Sequence, residues 1–355
     1  MNSRLSVAVL LCASVLTLAA QQPQVTNTQF NTVPAGSGLS ATVDRFLRSN
    51  QLLWIGYQVP VLPQTHLSAC DSWSSSSQVE DGCCSEYQLE ESGDHLNSSD
   101  RNGRPEGVMN ILVRLDKGAV TKIRPLMASC KLNAGGVPFT WITDVRPEDS
   151  VEFLGKLAAQ EFKGDHDRLA DPALVSLSMH ATPQATATLL ALAAPANDAR
   201  LREKAAFWLG AQRGHEGLLA LRQLIRDDSS PDLRQKLAFD LSINSDPGAV
   251  DDLIAMAKSD ESPHVRGQAI FWLAQKAGKK AVASLKDAID NDPEFEVKKK
   301  AVFALSQLPK DESISQLVHV ADTNSNFAIR KEAIFWLGQS NDPRALEYLE
   351  ALLKR

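Results

Sequence analysis

One pattern of apolar and polar positions occurs five times in the C-terminal half of the chain. Each copy starts with a basic residue, has Ala or Leu three residues later, Phe five residues later and Leu seven residues later. The copies follow one another at intervals of 32 residues. A strict period of this size indicates a repeat array, in which one unit cannot bury its apolar face alone. The basic residues are Arg202, Arg234, Arg266, Lys298 and Arg330.

Each repeat predicts two helices. A proline or polar residue opens a first helix, a short loop such as 245–248 follows, and a second helix runs through residues such as 249–257. Proline suits the first turn of a helix because its missing N–H would have no partner there. A degenerate copy over 171–193 brings the number of helix pairs to about six. The predicted fold is therefore mainly α, a solenoid over 168–355 preceded by a capping helix at 147–167.

Helical spacing sorts the residues of each first helix into faces. At about 100° per residue, Leu201, Ala205 and Leu209 share a buried seam with a tryptophan at its rim. The phenylalanine falls on the far side of the helix. Two interpretations stay open: the phenylalanines are buried between neighbouring first helices, or they form an exposed stripe that binds a partner. The candidate partner-binding residues are Phe207, Phe239, Phe271, Phe303, Phe335, Trp208, Trp272 and Trp336.

Two further positions of the first helices each support a prediction. The tryptophan position holds Asp240 and Ala304 in the intervening copies, which favours a partly exposed site over a core site. The five basic residues at the start of the pattern are expected to form a structural ladder by pairing with acids of adjacent units.

The pattern resembles the short HEAT-like repeats of the bilin-lyase type. The resemblance rests on a Pro-x-Val-Arg start, as at Pro263, an alanine three residues after the arginine, and an Asp-Pro or Gly loop before the second helix. It implies a right-handed α-solenoid whose second helices line the concave side. It also implies a protein–protein interaction scaffold, and the partner protein is not identified by the sequence.

Two enzyme families that use such repeats provide the alternative function. Deoxyhypusine hydroxylases resemble such an array and hold a di-iron centre with several His-Glu pairs, whereas this chain has only His215-Glu216. Beyond the repeat, nothing supports the chromophore role of a bilin lyase. No phosphate-binding loop, GxSxG or HExxH motif is present. We therefore expect no catalysis and no cofactor; the alternatives are a metal- or pigment-dependent enzyme, or a purely structural envelope component.

A small α+β domain is predicted over residues 40–146. A helix is expected within 41–53, a strand at 53–59, a hairpin within 108–125 and another strand at 139–142. The hairpin prediction depends on alternating β-formers around a turn that ends in glycine. No known family is recognisable in this domain.

Two polar segments belong to the N-terminal part. Residues 21–39 are rich in Gln, Thr, Asn and Gly, which predicts a flexible leader. Residues 71–100 hold eight acids and no Lys or Arg, which predicts a long solvated loop. The carboxylates in this loop lack the spacing of a calcium-binding loop, so no metal site is expected.

Four cysteines follow the first twenty residues, and all lie in the small domain. An even number of cysteines in a loop-rich exported segment favours disulfides. Either the first pairs with the second and the third with the fourth, or the first pairs with the third and the second with the fourth. Zinc and redox sites usually need CxxC spacing, which is absent. The cysteines are Cys70, Cys83, Cys84 and Cys130.

Residues 1–20 have the form of an export signal. Arg4 precedes an apolar run over residues 5–18, and Ala19 and Ala20 precede a polar segment. We expect the mature chain to be periplasmic or extracellular, with no membrane span. The net charge of -6 argues against nucleic-acid binding, which needs a basic surface.

Overall fold

The computed structural model describes most of the chain. The described residues are 22–63, 65, 68–69, 86–90, 96–97, 107–161 and 169–354, with the backbone alone at 68–69, 96–97 and 161. The predicted export signal, most of the acidic loop, and Cys70, Cys83 and Cys84 lie outside them. The predictions made for those residues stay predictions.

The N-terminal region is a small α+β unit, as predicted. Its five-stranded sheet has the strand order β2-β10-β3-β7-β8, with β10 parallel to β2 and β3, and β7 antiparallel to β3 and β8. Strands β1, β9 and β5 form a second sheet, and β4 pairs with β6. The strands are β1 (Val25–Thr26), β2 (Phe30–Pro34), β3 (Leu53–Pro60), β4 (Ser68–Ala69), β5 (Glu86–Gln88), β6 (Leu96–Asn97), β7 (Val108–Asp116), β8 (Ala119–Met127), β9 (Lys131–Asn133) and β10 (Phe139–Thr143).

The predicted hairpin and the strands on either side of it are confirmed. Lys117 and Gly118 both have positive φ angles, of 50° and 73°, and join β7 to β8 as a two-residue turn. Strand β3 lies in the middle of the sheet and is almost entirely buried. At Gly56 a Cβ atom would lie 2.8 Å from the ring of Phe139, so the close packing at the centre of the sheet requires glycine.

The prediction of a flexible leader over residues 21–39 is wrong. Strand β2 forms an edge of the main sheet by pairing with β10, and the ring of Phe30 stacks on that of Phe139 at 5.7 Å. The side chains of β2 are mostly exposed, so this strand is held by backbone pairing. A strand held in this way needs few apolar residues, which is why the polar composition suggested a flexible segment.

Helices make up the rest of the described chain. They are α1 (Leu39–Ser49), α2 (Pro147–Glu161), α3 (Ala170–Met179), α4 (Pro183–Leu192), α5 (Ala199–Gln212), α6 (Gly214–Asp227), α7 (Pro231–Ile243), α8 (Ala249–Ser259), α9 (Pro263–Ala277), α10 (Val282–Asn291), α11 (Phe295–Ser306), α12 (Lys310–Thr323), α13 (Phe327–Gln339) and α14 (Pro343–Leu353), with a 3₁₀ turn at Gly278–Ala281. From α3 to α14 the described residues form six pairs, each with a first and a second helix.

The predicted helix starts have visible causes. The side chains of Asp198, Ser230 and Asp342 each accept a hydrogen bond from a backbone N–H in the first turn of the following helix. Pro231 and Pro343 occupy the first helical position, where no intrahelical N–H bond is needed. Local capping therefore fixes the boundaries that the repeat period had indicated.

The α+β unit and the array are packed together. Helix α2 lies against α3 and α4, the position of a cap on the first pair. At the junction a chain of buried polar groups runs from Tyr57 through Ser150 to His180, with Oη to Oγ at 3.0 Å and Oγ to Nε2 at 2.9 Å. Burial lowers the pKa of His180 to about 4, so the imidazole is neutral.

The array curves toward its first helices. Successive first helices from α5 to α13 pack closely against each other, whereas successive second helices touch each other over much shorter lengths. A stack of units is narrower on the side where its helices approach most closely, and that side is the concave one. The prediction that the second helices line the concave side is therefore wrong.

Candidate partner-binding surface

The predicted aromatic residues form one continuous row across five first helices. Each ring contacts the next with centroids 4.7–6.2 Å apart. These are normal distances for aromatic pairs. We call the row the aromatic ladder; in order of contact it consists of Trp208, Phe207, Phe239, Trp272, Phe271, Phe303, Trp336 and Phe335.

Contacts within the ladder alternate along the array. Where the tryptophan position holds tryptophan, its ring covers the phenylalanine of the preceding pair, as Trp272 covers Phe239 at 4.7 Å. Where that position lacks an aromatic ring, the two phenylalanines stack directly, as Phe271 and Phe303 do at 6.2 Å with parallel planes. The pattern of ring contacts in the ladder thus recurs every two repeats, or 64 residues.

The ladder is neither core nor fully exposed. Its rings are half-buried except Phe335, which is 52% exposed. The two interpretations left open by the sequence each describe part of the arrangement: the rings bury one edge against neighbouring first helices and present the other on the concave side. A partly exposed aromatic surface on a rigid scaffold is suited to binding a partner.

Asp240 lies buried beside the ladder, where neighbouring repeats have tryptophan. Its side chain is 3% exposed, and Oδ2 has no hydrogen-bond partner in the described structure. Burial raises the pKa of Asp240 well above its usual value, and the charge of Glu203 raises it further. The partial exposure predicted for this position is wrong at Asp240 and at Ala304, which is fully buried. Both side chains are shorter than tryptophan, so less of each residue can extend to the surface.

Polar side chains border the ladder on both sides. Four residues after the phenylalanine, and so on the same helix face, come the exposed Gln275, Gln307 and Gln339. Three residues before it come Lys204, Lys236 and Lys300. The first two lysines have acidic partners, Asp171 at 2.6 Å and Glu203 at 3.8 Å.

Lys300 differs from the other two lysines. Its aliphatic chain lies on Gly267 of the neighbouring first helix, where a Cβ atom would be 2.5 Å from Cδ of the lysine. Within the described residues its ammonium group has no acidic partner. The lack of a side chain at Gly267 therefore makes room for a lysine beside the ladder whose positive charge is not neutralised.

The predicted structural ladder of basic residues lies between the helix pairs. Arg234 makes two hydrogen bonds to Asp260 at 2.8 and 3.0 Å, and Arg266 makes two to Asp292 at 2.7 and 3.0 Å. Both pairs are almost fully buried. The remaining members bond to Asp228 (Arg202), to the Asp290 carbonyl (Lys298), and to the Asn324 and Ser325 carbonyls (Arg330).

The same aspartates also shape the turns between repeats. The Asp228 and Asp260 carboxylates each accept a bond at 2.8 Å from the backbone N–H two residues later. Arg234, Arg266 and Arg330 also donate to the carbonyl six residues before them, as Arg266 does to Asp260 at 2.9 Å. One carboxylate thus joins a turn to a neighbouring helix, a network that the sequence suggested only as pairing with acids.

Other candidate residues are placed apart from the ladder. Nδ1 of His215 lies 2.7 Å from Asp246, and Glu216 bonds to Thr186 and Arg213. The described residues contain no group of three His, Cys, Asp or Glu residues able to hold a metal. Cys130 is buried, whereas the other three cysteines lie outside the described structure. Among the described helices, none has both the length and the apolar character needed to cross a bilayer.

The comparisons with known proteins identify the repeat. Residues 218–306 and 282–355 match the family model described as HEAT repeats. The matched segments are HEAT repeats. The predicted HEAT-like class is thus confirmed for these residues. A search of curated proteins found no significant match.

Several solved structures are similar to parts of this chain. The complex of CpcE and CpcF of phycocyanin lyase from Nostoc sp. PCC7120 is 24% identical, over 44% of this chain and 99% of that one, with a TM-score of 0.34. Human deoxyhypusine hydroxylase is 18% identical over 58% and 90% of the two chains, with a TM-score of 0.31. The karyopherin Kap121p, bound to the extreme C-terminus of the phosphatase Cdc14p, is 14% identical over 58% and 27%, at 0.35. At these values the similarities assign no activity to this chain.

Proposed function

We propose that this protein is a non-catalytic scaffold that binds a partner protein on the concave side of its HEAT-repeat array. The observation that carries the proposal is the aromatic ladder, eight rings in contact across five first helices, seven of them partly exposed and Phe335 exposed. Aromatic side chains supply large contact areas at low entropic cost, which makes them frequent binding hot spots. Their mutual stacking fixes their positions before a partner arrives.

We further propose that the protein works outside the cytoplasm. The support is the sequence of residues 1–20, with a basic start, an apolar stretch and small residues before Gln21. Disulfides among the four cysteines belong to the same proposal. Fractionation of producing cells and mass spectrometry of the mature N-terminus test it, and a cytoplasmic chain that retains Met1 would contradict it.

Site-specific photocrosslinking tests the binding surface. Phe335 in the ladder is replaced by benzoyl-phenylalanine, an aromatic substitution that changes the surface little. Phe327 is the matched control: it lies on the same helix, is 70% exposed and is not in the ladder. Irradiation in extract from producing cells should attach a partner at position 335 and not at 327. Equal crosslinking at both positions, or none at 335, would refute the proposed surface.

A further inference from the structure

The last three pairs of the array offer a more specific surface than the rest. Each carries both a ladder phenylalanine and, four residues later, a glutamine: Phe271 with Gln275, Phe303 with Gln307 and Phe335 with Gln339. In the two earlier pairs the position equivalent to these glutamines holds Ala211 and Ile243. Among the ladder helices, the combination of ring and amide is therefore confined to α9, α13 and α11 with Gln307, the residue that directly follows α11.

Ring and amide together suit an extended polypeptide. A side-chain amide can both donate to and accept from a peptide backbone, and an aromatic ring can pack against an apolar side chain. Packed helices are about 8–10 Å apart. A polyproline II segment advances about 9 Å per turn of three residues, and its backbone groups are free to bond. One turn of such a segment would meet one ring and one amide of each repeat.

Charge indicates which extended segment fits. Lys300 lies on the side of the rings opposite the glutamines, over Gly267 and three residues before Phe303. Its ammonium group is without an acidic partner in the described residues. Lys331, which is exposed on the next first helix, also lacks an acidic partner there. This border of the ladder therefore holds two positive charges without an acidic partner in the described residues, against the one negative charge of Glu332, although the whole chain has a net charge of -6.

We propose that the ladder from Phe271 to Phe335 binds an acidic, extended segment of the partner protein. Apolar side chains of the segment pack on the rings, its backbone bonds to the three glutamine amides, and a carboxylate pairs with Lys300. This inference depends on the proposed function and adds the chemistry of the partner. Charge complementarity of this kind chiefly determines specificity and association rate.

Three fluorescent peptides test the inference with the full chain. Each peptide repeats the triplet X-Pro-Leu five times. The residue X is glutamate in the first peptide, glutamine in the second and lysine in the third. Fluorescence anisotropy at low salt should show the glutamate peptide binding at least about fivefold more tightly than the glutamine peptide, as expected for a carboxylate near an ammonium. The lysine peptide should bind most weakly.

A charge-reversal variant gives the second readout. Lys300→Glu should abolish the preference for the glutamate peptide. Lys258→Glu makes the same charge change on the second helix α8, where the lysine side chain is 73% exposed, and should leave the preference intact. Circular dichroism confirms that both variants are folded.

The possible outcomes separate the two proposals. If Phe335→Ala weakens all three peptides while Lys300→Glu changes nothing, the ladder binds extended segments and the acidic partner is refuted. If the Phe335→Ala variant binds every peptide as tightly as the Phe327→Ala control does, the ladder is refuted as the binding surface. The inference is overturned if the glutamate peptide does not bind at concentrations up to the millimolar range. It is also overturned if single-stranded oligothymidylate binds more tightly than the glutamate peptide.

Discussion

Asp240→Ala is predicted to stabilise the protein. The carboxylate is 3% exposed, and its Oδ2 atom finds no hydrogen-bond partner among the described residues. A buried polar group without a partner costs about 1–3 kcal/mol. Alanine is already accommodated at the equivalent position two repeats later, because Ala304 is fully buried. Allowing for the small void left by the carboxylate, we expect a gain of about 1–2 kcal/mol at pH 7.5.

The gain should depend on pH. The pKa of Asp240 is raised in the folded state, whereas an aspartate in an unfolded chain titrates near about 4. Below that pH the carboxyl is protonated in both states and contributes no ionisation penalty. As pH rises above it the unfolded state loses its proton first, so wild-type stability falls relative to the variant. The advantage of Asp240→Ala should therefore be larger at pH 7.5 than at pH 4.

Urea denaturation followed by circular dichroism measures this effect at both pH values. Asp240→Asn serves as the control, since it keeps the shape and the polarity but cannot ionise. It should show the same loss of pH dependence with a smaller gain in stability. The reasoning is refuted if Asp240→Ala is less stable than wild type at pH 7.5, or if its advantage is equal at pH 4.

Three further predictions concern packing and junctions. Arg266→Ala leaves the carboxylate that it pairs with buried and unpaired, so it should cost about 3–5 kcal/mol of unfolding free energy. Lys298→Ala, at the same repeat position but bonded to one carbonyl, should cost under about 1 kcal/mol in the same urea titration. Gly210→Ala places Cβ 2.5 Å from a backbone oxygen and should lower the melting temperature, whereas Gly338→Ala at the equivalent open position should raise it. Wild type should lose stability as pH falls from about 6.5 towards 4, because only the unfolded histidine is protonated in that range. His180→Gln should abolish this loss, and an unchanged pH dependence of the variant would contradict the reasoning.

The sequence predicts the repeats well because their information is local and periodic. Helix pairs, capping residues, the hairpin and the equivalence of positions 32 residues apart all follow from patterns within a few turns. The direction of curvature does not, because it depends on how closely neighbouring helices approach. One feature of the sequence does point to close approach of the first helices. They have small residues such as Ala206, Gly210 and Ala274 at positions that the structure buries.

Contacts between distant segments were also missed. Ser150 and His180 are 30 residues apart, and their hydrogen bond depends on how α2 packs against the end of α3. Chain order cannot show this, and the full burial of the pair indicates a structural role at the junction. Nor did the sequence show that Trp54 donates to Glu90 at 2.7 Å, a hydrogen bond that joins the acidic segment to the sheet.

The alternation of tryptophan with Asp240 and Ala304, together with Lys300, limits the registers in which an extended partner can bind the ladder. A uniform row of phenylalanines would let an extended partner bind in several registers, each shifted by one repeat. Here the stacked pair Phe271–Phe303 is followed by Trp336, and Lys300 lies beside that pair alone. Shifting a bound segment by one repeat would move its carboxylate to Gln268 or Glu332. The position of Lys300 therefore favours one register over the registers shifted by one repeat, although the scaffold is repetitive.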